Sequence, residues 1–250
     1  MERRRTVFLL LPALNERDAL PSLIRSALDV LQGLPVRSVV VVVDDGSTDG
    51  TAEAASAAAD SASLEVIEHE RNMGLGAALR TGFGYILPQS HPDDIIVTMD
   101  ADGTHNPQAM PGMVDAISQG CDVVIASRFT MGGTVTGVSA LRRLLSRLAA
   151  FTGKLLVGIP GVRDYSSGYR AYGASALKEA WERADGNLPS TASFAATTEI
   201  LLKLGAAGAN VTEVPLQLRY DLKQGASKMK LVRTCFSYLA IFVRNARFSG

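Results

Sequence analysis

Short runs of β-branched and aliphatic residues alternate along the chain with stretches in which apolar residues recur every three or four positions. The runs Thr6 to Leu11, Val39 to Val43, Leu64 to Glu68, Ile95 to Met99 and Asp122 to Ala126 read as buried strands. After the first of them, Leu20, Leu23, Ile24, Ala27, Leu28 and Leu31 fall on one helical face, with Asn15 as a candidate cap. Asn106-Pro107 has the form of an N-cap followed by proline at the first helical position, and Ala52 to Ser63 reads as a helix and its exit. Strands that alternate with helices predict an α/β fold: a doubly wound, mostly parallel sheet with helices on both faces. Ligands bind such sheets beyond the carboxyl ends of the strands, so the residues that follow each run become the candidates for chemistry.

Composition narrows this picture. The 250 residues are 47% hydrophobic and 20% charged, a globular balance that fits one domain over the whole chain, 1–250, with a basic tail from about residue 222. The longest apolar runs, Val39 to Val43 and Tyr238 to Val243, fall far short of the roughly 18 residues of a membrane span. The start of the chain lacks the form of a secretory signal, which makes cytoplasmic residence the expectation. Cys121 and Cys235 stand far apart, in no metal-binding or disulfide spacing, and read as reduced core thiols.

Net charge is zero, yet residues 1–125 carry 18 acidic and 8 basic side chains while residues 126–250 carry 7 and 17. No acidic residue follows Asp221, and Lys223, Lys228, Lys230, Arg233, Arg244 and Arg247 do, so the tail either attracts phosphate or an anionic membrane surface or is a solvated basic face. From Ala140 to Ile159 an apolar stripe runs beside Arg142, Arg143, Arg147 and Lys154. Such a segment either packs on the sheet or lies in a membrane interface.

Two acidic clusters follow strands. Asp44-Asp45-Gly46-Ser47 comes directly after Val43; Ser47 or Thr48 could cap the next helix, but two adjacent carboxylates exceed what a cap needs and suit ribose hydroxyls or base N–H groups. Asp100-Ala101-Asp102 follows Met99. Carboxylates at i and i+2 repel unless a cation neutralises them, so Mg²⁺ or Mn²⁺ is the expected cofactor there, binding a diphosphate and stabilising its departure. The turn from Arg71 to Arg80 matches no phosphate loop and reads as a helix start with close backbone packing. Arg128, Arg170 and Lys228 are candidate phosphate contacts, and Asp164 and Glu199 candidate general bases.

In this order, over about residues 6 to 230, these segments resemble family 2 glycosyltransferases of the GT-A fold, and among them the dolichol-phosphate mannosyltransferase-like branch. The resemblance implies that Pro12, Leu14, Glu16, Val43 and Asp45 hold the nucleoside and that Asp100, Ala101 and Asp102 hold the diphosphate and metal. It also implies that Arg128, Asp164 and Lys228, the last in a GxSK segment, act with Asp102 in catalysis, Arg128 and Lys228 touching the donor. Asp164 to Arg170 is similar to the family's acceptor-side DxxSGFR segment. Two positions depart from the pattern. Thr104, as a further and weaker metal ligand through its hydroxyl, stands where the family often has glutamine, and Leu222 where an arginine is usual, with Arg219 or Lys223 as substitutes.

The activity this implies is inverting transfer of a sugar from a nucleotide diphosphate sugar, GDP-mannose before UDP-glucose, to a polyprenyl phosphate. A protein of this kind would sit peripherally on the cytoplasmic membrane face or with a membrane partner, and nucleic acid is not among the expected partners. A soluble sugar or small-molecule hydroxyl acceptor is the alternative, and a non-catalytic nucleotide-sugar-binding module a further one. A nucleotidyltransferase would need a glycine- and lysine-rich phosphate loop, which Val7 to Glu16 lacks.

Overall fold

A computed structural model describes residues 3–59, 63–137 and 158–222. Seven strands form one sheet in the order β3-β2-β1-β4-β7-β5-β8. They are β1 (Thr6–Ala13), β2 (Arg37–Asp44), β3 (Leu64–Glu68), β4 (Ile95–Thr98), β5 (Val123–Ser127), β7 (Arg170–Gly173) and β8 (Val211–Pro215). The short β6 (Thr134–Thr136) and β9 (Gln217–Arg219) pair with each other in a separate parallel ribbon. Within the sheet β7 alone runs antiparallel to its neighbours, β4 and β5; every other pairing is parallel. The expected α/β architecture is therefore present, with β7 and β8 as additions that the sequence pattern did not announce.

Alternation along each strand feeds two cores. Leu9, Leu11, Val40 and Val42 face α1 (Leu20–Gln32), α2 (Thr51–Ser56) and α4 (Met110–Ser118). Phe8, Leu10, Val41 and Val43 face α3 (Leu75–Ile86), α5 (Ala174–Arg183) and α6 (Ala196–Ala206). Covered on both sides, β1 and β2 need apolar residues at consecutive positions, which is why Val39 to Val43 reads as an unbroken run. Helix α1 buries Leu20, Leu23, Ile24, Ala27, Leu28 and Leu31, the six residues of the expected stripe.

Local starts differ from two expectations. Asn15 does not cap α1, which begins at Leu20; it lies in a left-handed bend at φ 50° and its side-chain oxygen accepts from the Thr48 N–H at 2.9 Å. Neither Ser47 nor Thr48 caps α2, because the Asp49 carboxylate accepts the Thr51 N–H at 3.1 Å and Gly50 takes the N-cap position. Asn106 does cap, accepting from the Gln108 N–H in a short 3₁₀ turn. Cys121 is a partly buried thiol packed against one core, whereas Cys235, Lys228, most of the Ala140 to Ile159 segment and the tail beyond Leu222 lie outside the described residues. Among the described residues no helix is long and apolar enough to cross a membrane.

Candidate active site

Parallel pairing brings the carboxyl ends of β1, β2, β3, β4 and β5 to one edge of the sheet, and the order reverses between β1 and β4, where ligands of open α/β sheets bind. The loop after β1 and the loop after β2 are laced together there. Asn15 N–H donates to Ser47 Oγ at 2.8 Å, Glu16 N–H to Thr51 Oγ1 at 2.9 Å and Arg17 N–H to Asp49 Oδ2 at 3.3 Å. Pro12, Leu14 and Glu16 are half-buried along this seam. Val43 is fully buried with its side chain in the core, so that side chain does not meet a ligand at the edge.

Asp44 and Asp45 are each 4% exposed. Asp44 Oδ1 accepts from the N–H and hydroxyl of Ser47, closing the turn. Asp45 Oδ1 meets His69 Nδ1 at 2.8 Å and the Met73 N–H at 2.9 Å, and its Oδ2 accepts the Gly74 N–H at 2.8 Å. On its far side His69 Nε2 meets Thr81 Oγ1 at 2.8 Å. Asp45 thus ties β2 to the turn that opens α3. His69 was not singled out from the sequence, yet it directly follows β3, where the strand-end rule would have found it. The Gly-spaced turn is the expected close-packing site: a Cβ on Gly76 would sit 1.7 Å from the Thr191 carbonyl oxygen.

Beyond β4 the Asp100 side chain is half exposed and Ala101 is buried. Asp102 Oδ1 accepts from Thr104 twice, from the N–H at 3.1 Å and from the hydroxyl at 2.7 Å. His105 Nδ1 accepts the Asp100 N–H at 3.3 Å, while its ring stacks on Tyr169 with centroids 5.3 Å apart. Because β7 is antiparallel, the segment preceding it, 164–169, arrives at the same edge. Gly168 lies so close to the acidic pair that a Cβ there would be 3.2 Å from Asp100 Oδ1. The structure therefore brings the two segments Asp100 to Asp102 and Asp164 to Arg170 together.

Arg128, at the end of β5, is held by Asp164. Its Nε and one terminal nitrogen donate to the two carboxylate oxygens at 2.8 and 2.7 Å, and its main-chain N–H adds a third bond at 3.2 Å. Asp164 is 0% exposed and also accepts the N–H groups of Ser166 and Ser167. Burial alone would push its carboxyl up; the charge and hydrogen bonds of Arg128, with the charge of Arg170, outweigh this and hold it below the usual carboxylate range. Glu199 is likewise buried, bonded to the N–H and hydroxyl of Ser190, the N–H of Thr191 and, at 2.9 Å, the Lys203 ammonium. Burial raises its carboxyl and the bonds to Lys203 and Ser190 more than reverse this, leaving it lowered. Carboxylates so saturated and so acidic are poor proton acceptors.

Arg170 does not fit the expected phosphate role. It is fully buried and donates to the Thr197 and Tyr165 carbonyls, since β7 directs it into the protein. Arg219 is exposed and paired with Asp221 at 2.8 Å, and its N–H donates to the Thr104 carbonyl at 2.9 Å, fastening β9 to the acidic loop.

A family profile described as "Glycosyl transferase family 2" matches residues 9–181. Over 222 residues the chain is 33% identical to "Polyprenol monophosphomannose synthase" of Mycolicibacterium smegmatis, covering 88% of this chain and 79% of that protein. It is 32% identical to "Dolichol-phosphate mannosyltransferase" of Pyrococcus furiosus, over 98% of this chain and 64% of the longer relative. Among solved structures, glucosyl-3-phosphoglycerate synthase from Mycobacterium tuberculosis, in complex with Mn²⁺, UDP-glucose and phosphoglyceric acid, superposes with a TM-score of 0.69 at 22% identity, covering 97% of this chain and 80% of that one. With a profile spanning most of the chain, relatives above 30% identity and the mostly parallel sheet described above, the chain has the GT-A fold and belongs to the family 2 glycosyltransferases.

Proposed function

We propose that the protein is an inverting glycosyltransferase that moves a hexose, mannose before glucose, from a nucleotide diphosphate sugar to a polyprenyl phosphate. The observation that carries this reading is the condition of Asp164 and Glu199. A hydroxyl acceptor needs a group to take up its proton. Both carboxylates are buried, bonded on both oxygens and held below their usual range, which disfavours either as that group. A polyprenyl phosphate brings its own nucleophile: with a second pKa near roughly 6, its oxygen is anionic at neutral pH and needs no base. The names of the relatives, a polyprenol monophosphomannose synthase and a dolichol-phosphate mannosyltransferase, support the same acceptor class and sugar.

On this reading Pro12, Leu14, Glu16, Asp45 and the main chain at Val43 receive the nucleoside. Asp100 and Asp102 would hold Mg²⁺ or Mn²⁺. Two carboxylates suit such an ion, which keeps several waters and completes its shell with substrate phosphates; among the described residues no group of three or more His, Cys, Asp or Glu side chains forms a closed cage in its stead. When bound, the ion supplies positive charge to the departing diphosphate. Thr104, whose hydroxyl donates to Asp102, acts by orienting that ligand. Asp164 aims the Arg128 guanidinium, which neutralises the diphosphate together with Lys228 from the basic tail. That tail and the Ala140 to Ile159 segment would bring the protein to the anionic cytoplasmic face of the membrane.

The test is transfer of radiolabel from GDP-mannose and from UDP-glucose, with Mg²⁺ or Mn²⁺, into an organic-extractable polyprenyl phosphate product. The expected result is lipid-phase label from GDP-mannose, lost with EDTA and in Asp102→Ala. Label that appears only on soluble acceptors would overturn the lipid reading, and label from UDP-glucose alone would overturn the donor.

A further inference from the structure

Glu213 lies in β8, across from Ile125 of β5 and two residues short of the ligand edge. Its side chain turns to the segment that leads into Asp164. Glu213 Oε1 accepts two consecutive main-chain N–H groups, that of Arg163 at 2.6 Å and that of Asp164 at 2.7 Å. Its Oε2 is buried and has no hydrogen-bond partner among the described residues. A carboxylate that accepts backbone N–H groups makes bonds roughly twice as strong as neutral ones. One side chain thus pins the backbone at 163–164, and the Asp164 carboxylate grips Arg128 from that fixed point through three hydrogen bonds. Arg128 also lies over the Phe129 ring, 5.3 Å from its centroid, and donates to Ser166 Oγ at 2.6 Å, so Asp164 is its charged partner among several contacts.

We propose that Glu213 is a positioning residue for the donor diphosphate, acting through Asp164 on Arg128. The inference rests on the reading of Arg128 as a diphosphate contact. Glu213 never touches substrate. It sets where Asp164 stands, and Asp164 sets where the guanidinium points.

The test is a double-mutant cycle on the full chain, with kcat and the donor KM measured for Arg128→Ala, Glu213→Ala and the double variant, and thermal unfolding followed in parallel. Hydrogen bonds to charged groups are worth enough that losing the Arg128 contact should lower kcat/KM by about tenfold or more. Glu213→Ala should lower it by about tenfold as well, yet by less than about twofold when Arg128 is already alanine, because interacting residues are not additive. Glu213→Gln keeps an acceptor oxygen in place and should return kcat/KM to within about threefold of the parent. Should Glu213→Ala not fold, Glu213→Asp, which withdraws the oxygen by one methylene, enters the cycle in its place. Additive losses, or a Glu213 variant that is silent while Arg128→Ala is impaired, overturn the inference alone. A silent Arg128→Ala overturns the diphosphate reading and the inference with it.

Discussion

Thr104 meets Asp102 Oδ1 with both its N–H and its hydroxyl, which makes the hydroxyl a guide for the carboxylate. Removing such an outer partner typically costs 10- to 100-fold in metal affinity. Thr104→Val should therefore raise the Mg²⁺ or Mn²⁺ concentration for half-maximal transfer by about tenfold, with little change in maximal rate; a metal titration of activity checks this. At Asp164 the expected effect falls on folding. Asp164→Asn leaves Arg128 without its buried partner and should cost about 3–5 kcal/mol at neutral pH, read by urea unfolding. Since the folded-state carboxyl is held below its ordinary value, its stabilising contribution is complete above about pH 4 and fades as pH falls through the lowered value. The stability gap between parent and variant should accordingly narrow below about pH 4. The acidic pairs at Asp44-Asp45 and Asp100-Asp102 were legible from sequence because each stands at the end of an unmistakable strand. The burial of Arg170 was not, because it depends on a strand inserted between partners distant in the chain.

Helix α3 is fitted against the segment around Thr191 with almost no clearance. The Gly76 N–H donates to the Ala192 carbonyl at 3.3 Å, and Glu199 of α6 secures the same segment through Ser190 and Thr191. An added methyl at Gly76 would press on backbone, which cannot rotate away, so Gly76→Ala should lose about 1–3 kcal/mol, seen as a lower melting temperature. At this scale the long periodic elements declared themselves: α1 shows its six-residue stripe, and the five expected strands are all present. The later strands did not. β7 has four residues, one of them a buried arginine, and β8 reads Val-Thr-Glu-Val-Pro, whose apolar positions are too few to separate a strand from a loop. Their identity comes from pairing: β7 completes the ladder between β4 and β5, and β8 extends it.

Across the whole molecule, acidic groups concentrate in the first half of the chain and basic ones in the second. If the basic half meets an anionic bilayer, sedimentation with phosphatidylglycerol vesicles should be strong at low salt, should weaken several-fold by about 0.5 M NaCl, where the screening length shrinks to a few ångström, and should be absent with phosphatidylcholine alone. Equal binding to both vesicle types would refute an electrostatic attachment. The antiparallel course of β7 has a further consequence for how such an enzyme can be re-engineered. The loops that follow β1, β2, β4 and β5 deliver most of the proposed donor-side residues within the first 128 positions, whereas the segment before β7 reaches the same edge travelling the opposite way. On the proposed reading the donor grip therefore spans both halves of the gene, because Arg128 precedes residues 138–157 while Asp164 and Glu213, which hold it, and Lys228, which joins it, follow them. A chimera joined in the stretch between Gly137 and Gly158 would have to rebuild, across its seam, both the Arg128–Asp164 pair and the ladders that β7 and β8 form with β4 and β5.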